Sequence, residues 1–227
     1  MAIKPILFNT GMVKAILGWR KTVTRRLMKP QPTWSELNMR WDWGKIAWWR
    51  DNWNAIDSIT EKNAPYMTGD ILYVRESFTE DGGRYYYRAD FESDYLEPCE
   101  TLGGGYPHEC MYYPGCEGCT REAYRIRWRP SIHMPKEAAR IFRRVTDVRV
   151  ERLQDITPEQ AVFEGAVKRP QYVRSRGEKC LVEHKRYLDD FAKLWDSTLK
   201  PADLPLYGWD ANPWVWVIKF ERCGKPE

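Results

Sequence analysis

The apolar and polar positions of the chain change period several times, and each change predicts an element. Residues 5–8 (Pro-Ile-Leu-Phe) form a short apolar run, as in a buried strand. In residues 10–17, Met12, Val13, Ile16 and Leu17 fall on one stripe, which predicts a short helix with Gly18 as its stop. Gly69-Asp70 reads as a turn feeding a strand over Ile71–Arg75. Beyond Asp81-Gly82-Gly83, Tyr85–Arg88 reads as its hairpin partner, and Tyr124–Trp128 as a further strand. From Ile141 to Leu153 apolar residues alternate with charged ones, and the phase shifts near Thr146, which predicts a bulge or bend. Thr157-Pro158-Glu159-Gln160 is a helix start: Thr157 caps, Pro158 suits the first helical position, and Gln160 completes a capping box. Gly165 ends that helix. Residues 181–199 are the best long helix, with Leu181, His184, Leu188, Phe191 and Trp195 down one side. In the last strand, Trp214, Trp216, Ile218 and Phe220 share a face.

Many short strands and few short helices predict an α+β fold built on a small closed β-barrel with helices packed at its ends. Two irregular insertions interrupt it, at about 29–66 and 93–120. The first is punctuated by Pro30, Pro32 and Pro65; its tryptophans between Trp34 and Trp53 read as a packed mini-core, with a hairpin around Trp41 to Trp49. The second carries four cysteines. The chain of 227 residues reads as a single domain with these insertions and no internal repeat.

Composition narrows the function classes. With 43% apolar and 30% charged residues the chain can bury a core, which excludes a disordered protein. A net charge of +4 suits a nucleotide or nucleic-acid partner, but is too small for a protein that coats DNA. The 12 tryptophans and 13 tyrosines can serve as core, as stacking platforms or as interface anchors. The start of the chain does not read as a signal peptide, and no apolar run approaches the ~18 residues of a membrane span. The expected setting is the cytoplasm, with no membrane partner and with cysteines kept as thiols or metal ligands.

The densest chemistry lies in Lys21-Thr22-Val23-Thr24-Arg25-Arg26. If this segment is extended, Thr22, Thr24 and Arg26 share one face and Lys21, Val23 and Arg25 the other. A lysine near a hydroxyl can form a nucleophile pair, and a guanidinium can hold an anion. By spacing alone, a basic solvated turn after a helix explains the segment better.

Several stretches resemble the ASCH-domain proteins, a branch of the PUA-like superfamily, and in length the phage and prophage type. They are PILF…MVKAILGWRKTVTRRLMKP, GDILYVRESF, WRPSIHMPKEAARI…VRVERLQDITPEQAVFEGA, FAKLWDS and NPWVWVIKFER. The family motif G-x-K-x-x-E-x-R places its lysine on Lys21 and its arginine on Arg26, with Thr24 where the acid stands and Trp19 where the glycine stands. A glycine at that position would suit a positive φ or a close approach. Thr24 makes the chain similar to the small bacterial ASCH amidohydrolases that deacetylate N4-acetylcytidine. The resemblance implies a PUA-like barrel and a pocket of Lys21, Thr24 and Glu164. In it Lys21, its pKa lowered by burial or by neighbouring cations, acts as the base. Thr24 is the nucleophile and Glu164 shuttles a proton to the departing N4. Arg26 would orient Glu164 or bind an anion. The alternative is a PUA-like module that binds RNA or a modified base without turnover, with phage encoding and host cytoplasm as the setting for either.

Arg75 and Glu76 admit two readings, a second lining of that pocket or an ordinary ion pair. Cys99, Cys110, Cys116 and Cys119 form C-x10-C-x5-C-x2-C, whose last step has the spacing and glycine of a zinc knuckle. They read either as a structural zinc site, with no metal required for catalysis, or as free thiols in a loop. His133 and His184 read as packed or hydrogen-bonded rather than catalytic. Arg140, Arg143, Arg144, Arg149 and Arg152 read as a phosphate-tracking stripe or as partners of Asp147, Glu151 and Asp155.

Overall fold

The computed structural model describes residues 1–35, 40–43, 46–49, 64–81, 83–91, 95–96, 124–166, 172–175, 178–181 and 184–226. The elements run β1 (Ile3–Leu7), α1 (Thr10–Leu17), β2 (Val23–Leu27), β3 (Thr33–Ser35), β4 (Arg40–Trp43), β5 (Ile46–Trp49), β6 (Ile71–Arg75), β7 (Phe78–Asp81), β8 (Arg84–Tyr87), β9 (Tyr95–Leu96) and β10 (Tyr124–Arg125). Then follow β11 (Phe142–Arg152), α2 (Pro158–Phe163), β12 (Tyr172–Ser175), β13 (Glu178–Leu181), α3 (His184–Ser197), α4 (Leu204–Tyr207) and β14 (Trp214–Cys223). Short 3₁₀ turns connect several of them.

The fold is mixed α+β around one five-stranded sheet of order β1-β6-β11-β14-β2. The expected barrel closure is not present among the described residues, because β1 and β2 remain at the two ends of that order. The pairs β6–β11, β11–β14 and β14–β2 are antiparallel. The phase shift near Thr146 is a real irregularity: the β11–β14 register slips between Val145 and Asp147. The hairpin expected around Trp41 to Trp49 forms as β4 and β5. Tyr85–Tyr87 pairs with β7 rather than with β6, so that expected partnership is corrected. Phe78, almost wholly buried, opens β7, a strand for which no expectation was made. The strand expected over Tyr124–Trp128 is only Tyr124–Arg125, and Leu181 belongs to β13 instead of the long helix.

The chain divides into two compact units, Met1–Lys4 with Ala15–Tyr73 and Ile141–Glu227, and Pro5–Lys14 with Val74–Arg140. In the first unit β14 is buried on both faces over Val215–Ile218. One face presents Val215 and Val217, with Val23 of β2, to Ala161 and Val162 of α2 and to Tyr187, Phe191 and Trp195 of α3. Full burial of such side chains contributes about 1.5–3 kcal/mol each. Alternation along the same strands puts Trp216, Ile218 and Phe220 on the opposite face, as the pattern required. Two sequence signals fix the ends of α2. Thr157 Oγ1 accepts from Gln160 N and the Gln160 side chain answers, which is the expected capping box. Gly165 then adopts φ +79°, with Ala15 Cβ only 2.7 Å from where a Cβ would stand.

The second unit holds the β7–β8 hairpin and a core that includes Phe78, Phe91, Ile126, Met134 and Ala138.

Candidate active site

Three chain segments of the first unit supply the site: the loop after α1, strand β2 and the C-terminus of α2. The loop leaves α1 through Trp19, a tryptophan at φ +61° where the left-handed region favours glycine. The helix stops at Gly18 as expected, and the left-handed residue that turns the chain is the next one. Arg20 N and Lys21 N both donate to Ala15 O, at 2.9 and 3.1 Å, which folds the chain back over the end of α1. Thr22 N donates to Phe163 O at 2.9 Å and ties this loop to the last turn of α2.

That return places Lys21 against Glu164, 143 residues further along the chain. Lys21 Nζ donates to Glu164 Oε2, to Glu164 O and to Val23 O, each at 2.8 Å. An ammonium has three donors, and these three acceptors satisfy them all. The Glu164 carbonyl at the end of α2 is one of the groups that a helix leaves without a partner, so the cation also completes the helix end. The Lys21 side chain has no solvent exposure, and that of Glu164 is 4% exposed. Burial pulls the Lys21 ammonium below the ordinary lysine range; Glu164 opposes this, while the Arg26 and Arg25 charges add to it.

Arg25, expected on the Lys21 face as one of its neighbouring cations, completes the cluster. Arg25 is wholly buried and donates through Nη1 to Glu164 Oε1 at 3.0 Å. Its Nη2 reaches Gln160 Oε1 at 2.6 Å and Glu151 Oε2 at 3.1 Å. The role of orienting Glu164, expected of Arg26, thus falls to Arg25. The signal was in the alternation, which puts Lys21, Val23 and Arg25 together, facing α2. Arg26 alternates to the other face with Thr24. Burial lowers the Arg26 guanidinium, against the opposing influence of Tyr66 and Glu164, so Arg26 still lies within electrostatic reach of the carboxylate.

Thr24 is buried in β2 opposite Ile218. Its hydroxyl is not hydrogen-bonded to Lys21 or Glu164 among the described residues. The structure therefore joins Lys21 and Glu164 directly and leaves Thr24 on the other face of β2.

Arg75 and Glu76 belong to the second unit and do not pair with each other. Arg75 Nε donates to Met134 O at 2.9 Å and its Nη2 to Ile132 O. Glu76 is buried and takes a two-pronged contact from Arg140, Nε to Oε1 at 2.9 Å and Nη2 to Oε2 at 3.0 Å. Arg140 also grips Asp90 at 2.7 and 2.9 Å and lies 3.9 Å from the Tyr87 ring centroid. Burial raises the Glu76 carboxyl above the ordinary glutamate range, against the pull of Arg140. Burial would lower Arg140, but Glu76 and Asp90 outweigh it and raise it. The expected Arg75–Glu76 ion pair is thus not formed, and Arg140 is the cation that Glu76 meets.

The arginine run serves several ends. Arg149 pairs with Asp147 and Glu151, as one expectation held, whereas Arg152 donates to Asn212 O at 2.9 Å and covers the Trp214 ring. His133 is exposed rather than packed. The His184 side chain, the tryptophan side chains from Trp34 to Trp53, and Cys99, Cys110, Cys116 and Cys119 lie outside what the structure describes. Among the described residues no group of His, Cys, Asp and Glu could hold a metal ion, and no helix is long and apolar enough to cross a membrane.

The chain matches no protein-family model, no curated protein and no solved structure.

Proposed function

We propose that the protein is an amidohydrolase that acts on an N4-acylated cytosine nucleoside or a related modified base, within a PUA-like fold of ASCH type. The observation that carries this reading is the buried Lys21–Glu164 pair, a lysine with a lowered pKa hydrogen-bonded at 2.8 Å to a carboxylate. Proton transfer along that bond leaves a neutral amine and a carboxylic acid, which are the base and the acid that amide cleavage needs. For Thr24 Oγ1 to attack the acyl carbon, its hydroxyl proton must pass to Lys21 from the other face of β2. Glu164 gives its proton to N4 as the C–N bond breaks, and cytosine leaves with its amine restored. Water then releases the acyl group from Thr24. Arg26, on the Thr24 face, stabilises the negative charge that gathers on the acyl oxygen.

The test is release of cytidine from N4-acetylcytidine by the pure protein. The native chain and Thr24→Ser should release it; Lys21→Ala, Glu164→Ala and Thr24→Ala should not. Activity that persists in Thr24→Ala would replace Thr24 with water as the nucleophile. No release from any acylated cytosine nucleoside would remove the reaction class. Cys99, Cys110, Cys116 and Cys119 are further proposed to hold one structural zinc; protein purified without chelator should carry one equivalent, and metal-free protein would remove that site.

A further inference from the structure

Arg25 does more than neutralise a carboxylate. Its guanidinium spans three side chains: Glu164 at the C-terminal end of α2, Gln160 in its first turn, and Glu151 on β11. Glu151 Oε1 in turn accepts from Arg149 Nε at 2.5 Å, and Arg149 Nη1 meets Asp147 at 2.7 Å. The sheet register explains the alignment: Arg149 and Arg25 both stand opposite Val217, on its two sides. The result is a chain of alternating charge, Asp147, Arg149, Glu151, Arg25, Glu164, Lys21. Side-chain exposure falls along it from 46% at Asp147 through 35% at Arg149 and 20% at Glu151 to zero at Arg25.

The two oxygens of Glu164 are divided between two cations. Lys21 holds Oε2 and Arg25 holds Oε1, so the carboxylate cannot turn without breaking one charge-assisted bond. The two cations are not equivalent. A guanidinium stays charged under all ordinary conditions, whereas a buried ammonium can lose its proton. When Lys21 is neutral, Arg25 is the cation that still holds Glu164.

We propose that Arg25 is the positioning residue of this site, fixing the Glu164 carboxylate between β2 and α2 so that one oxygen always faces Lys21 Nζ. It rests on the reading of Lys21 and Glu164 as the reacting pair, and makes the outer members of the chain its support. The charged groups that face Lys21 are Glu164, Arg25 and Arg26.

The test follows the Lys21 Nζ titration by nitrogen NMR, assigned by its loss in Lys21→Arg, alongside the pH profile of kcat/KM on N4-acetylcytidine. Arg25→Gln removes a nearby cation and leaves Glu164 to Lys21 alone, so the proton affinity of Lys21 should rise about tenfold. Glu151→Gln removes an anion beyond Arg25 and should move the same titration the other way, by less. Per folded molecule, kcat/KM should fall about a hundredfold in Arg25→Gln. Arg25→Lys keeps the charge but cannot span Glu164, Gln160 and Glu151 together, and should recover less than a tenth of that loss. An unmoved Lys21 titration in Arg25→Gln, with only stability lost, overturns the proposal and makes Arg25 a structural cross-link. If Arg25→Gln does not fold, Glu151→Gln decides, and an unmoved titration there overturns it equally. The NMR arm needs no turnover, so a chain that hydrolyses no acylated cytosine would still show whether Arg25 governs Lys21.

Discussion

Each compact unit contains a buried ion cluster, and the two are built around opposite centres. In the first unit the centre is an anion: Glu164 is held by Lys21 and Arg25, and all three side chains are at most 4% exposed. In the second the centre is a cation: Arg140 is held between Glu76 and Asp90, and two of the three side chains keep about a third of their exposure. An arginine that cannot deprotonate, gripped by two carboxylates, cross-links its surroundings and has no second protonation state to offer. A carboxylate shared by a lysine and an arginine has one partner that can give up its proton. The same types of interaction thus make a strut in one place and a candidate acid–base pair in the other. Burial and the identity of the central group decide which.

The largest effect should come from removing the first centre. Glu164→Ala leaves Lys21 and Arg25 as buried cations in electrostatic reach of each other, and should cost about 3–5 kcal/mol of unfolding free energy in urea titrations. Lys21→Met should cost clearly less, because Glu164 keeps Arg25. If Lys21→Met is the worse of the two, Glu164 is not the centre.

In the second cluster the order of partners reverses. Arg140→Ala leaves Glu76 buried and unpaired and should cost about 3 kcal/mol at neutral pH, less if solvent reaches the site through the exposed Asp90. Adding Glu76→Gln to Arg140→Ala should restore part of that loss. No restoration would mean that Arg140 acts through its packing on Tyr87.

A third change separates the clusters by geometry rather than charge. Gly165→Ala places a Cβ 2.7 Å from Ala15 Cβ and 3.3 Å from Lys21 Cβ, in a left-handed conformation. It should cost about 2–3 kcal/mol and disturb the Lys21 titration while leaving the second cluster unaffected. Full stability in Gly165→Ala would show that the end of α2 does not approach Lys21 this closely.

The smallest effects are the pH slopes, which have opposite signs. Lys21 titrates below its unfolded value of 10.5, so between those two points the unfolded chain binds more protons and stability rises with pH. Glu76 titrates above its unfolded value of 4.5, so in that window the folded chain binds more protons and stability falls as pH rises. Asp70 adds a third limb. Burial pushes its carboxyl up, but Lys4 Nζ and the Met67 and Ala2 amides outweigh it, so its contribution is lost as pH falls below 3.8. Stability curves of Lys21→Met and Glu76→Gln should each lose one of the first two limbs and keep the other.

Much of this was legible in the chain because local rules set it. The capping box at Thr157 and Gln160, the helix over Thr10–Leu17 and the slip near Thr146 all follow from a few adjacent residues. The left-handed residue at position 19 was legible too, as a place where glycine would be at ease, although a tryptophan occupies it. The strand Phe78–Asp81 is not signalled because it lies in a polar stretch, and its partners are its own hairpin and the distant Arg129. Alternation puts Arg25 on the Lys21 face, but its partners come from β11 and α2, and no spacing rule links positions 25, 151, 160 and 164. Arg140 shows the same limit: read within a run of arginines, it looked like part of a stripe, and the fold gives it Glu76 and Asp90 instead.

The central claim, that Lys21 and Glu164 form a working acid–base pair, is tested most directly by incubating the pure protein with N4-acetylcytidine and measuring cytidine. Release by the native chain, falling once the pH is high enough to remove the proton that Lys21 and Glu164 share, and absent in Lys21→Ala and Glu164→Ala, is the predicted result. Release that is equal in the native chain and in Lys21→Ala, or absent from both at every pH, would contradict it.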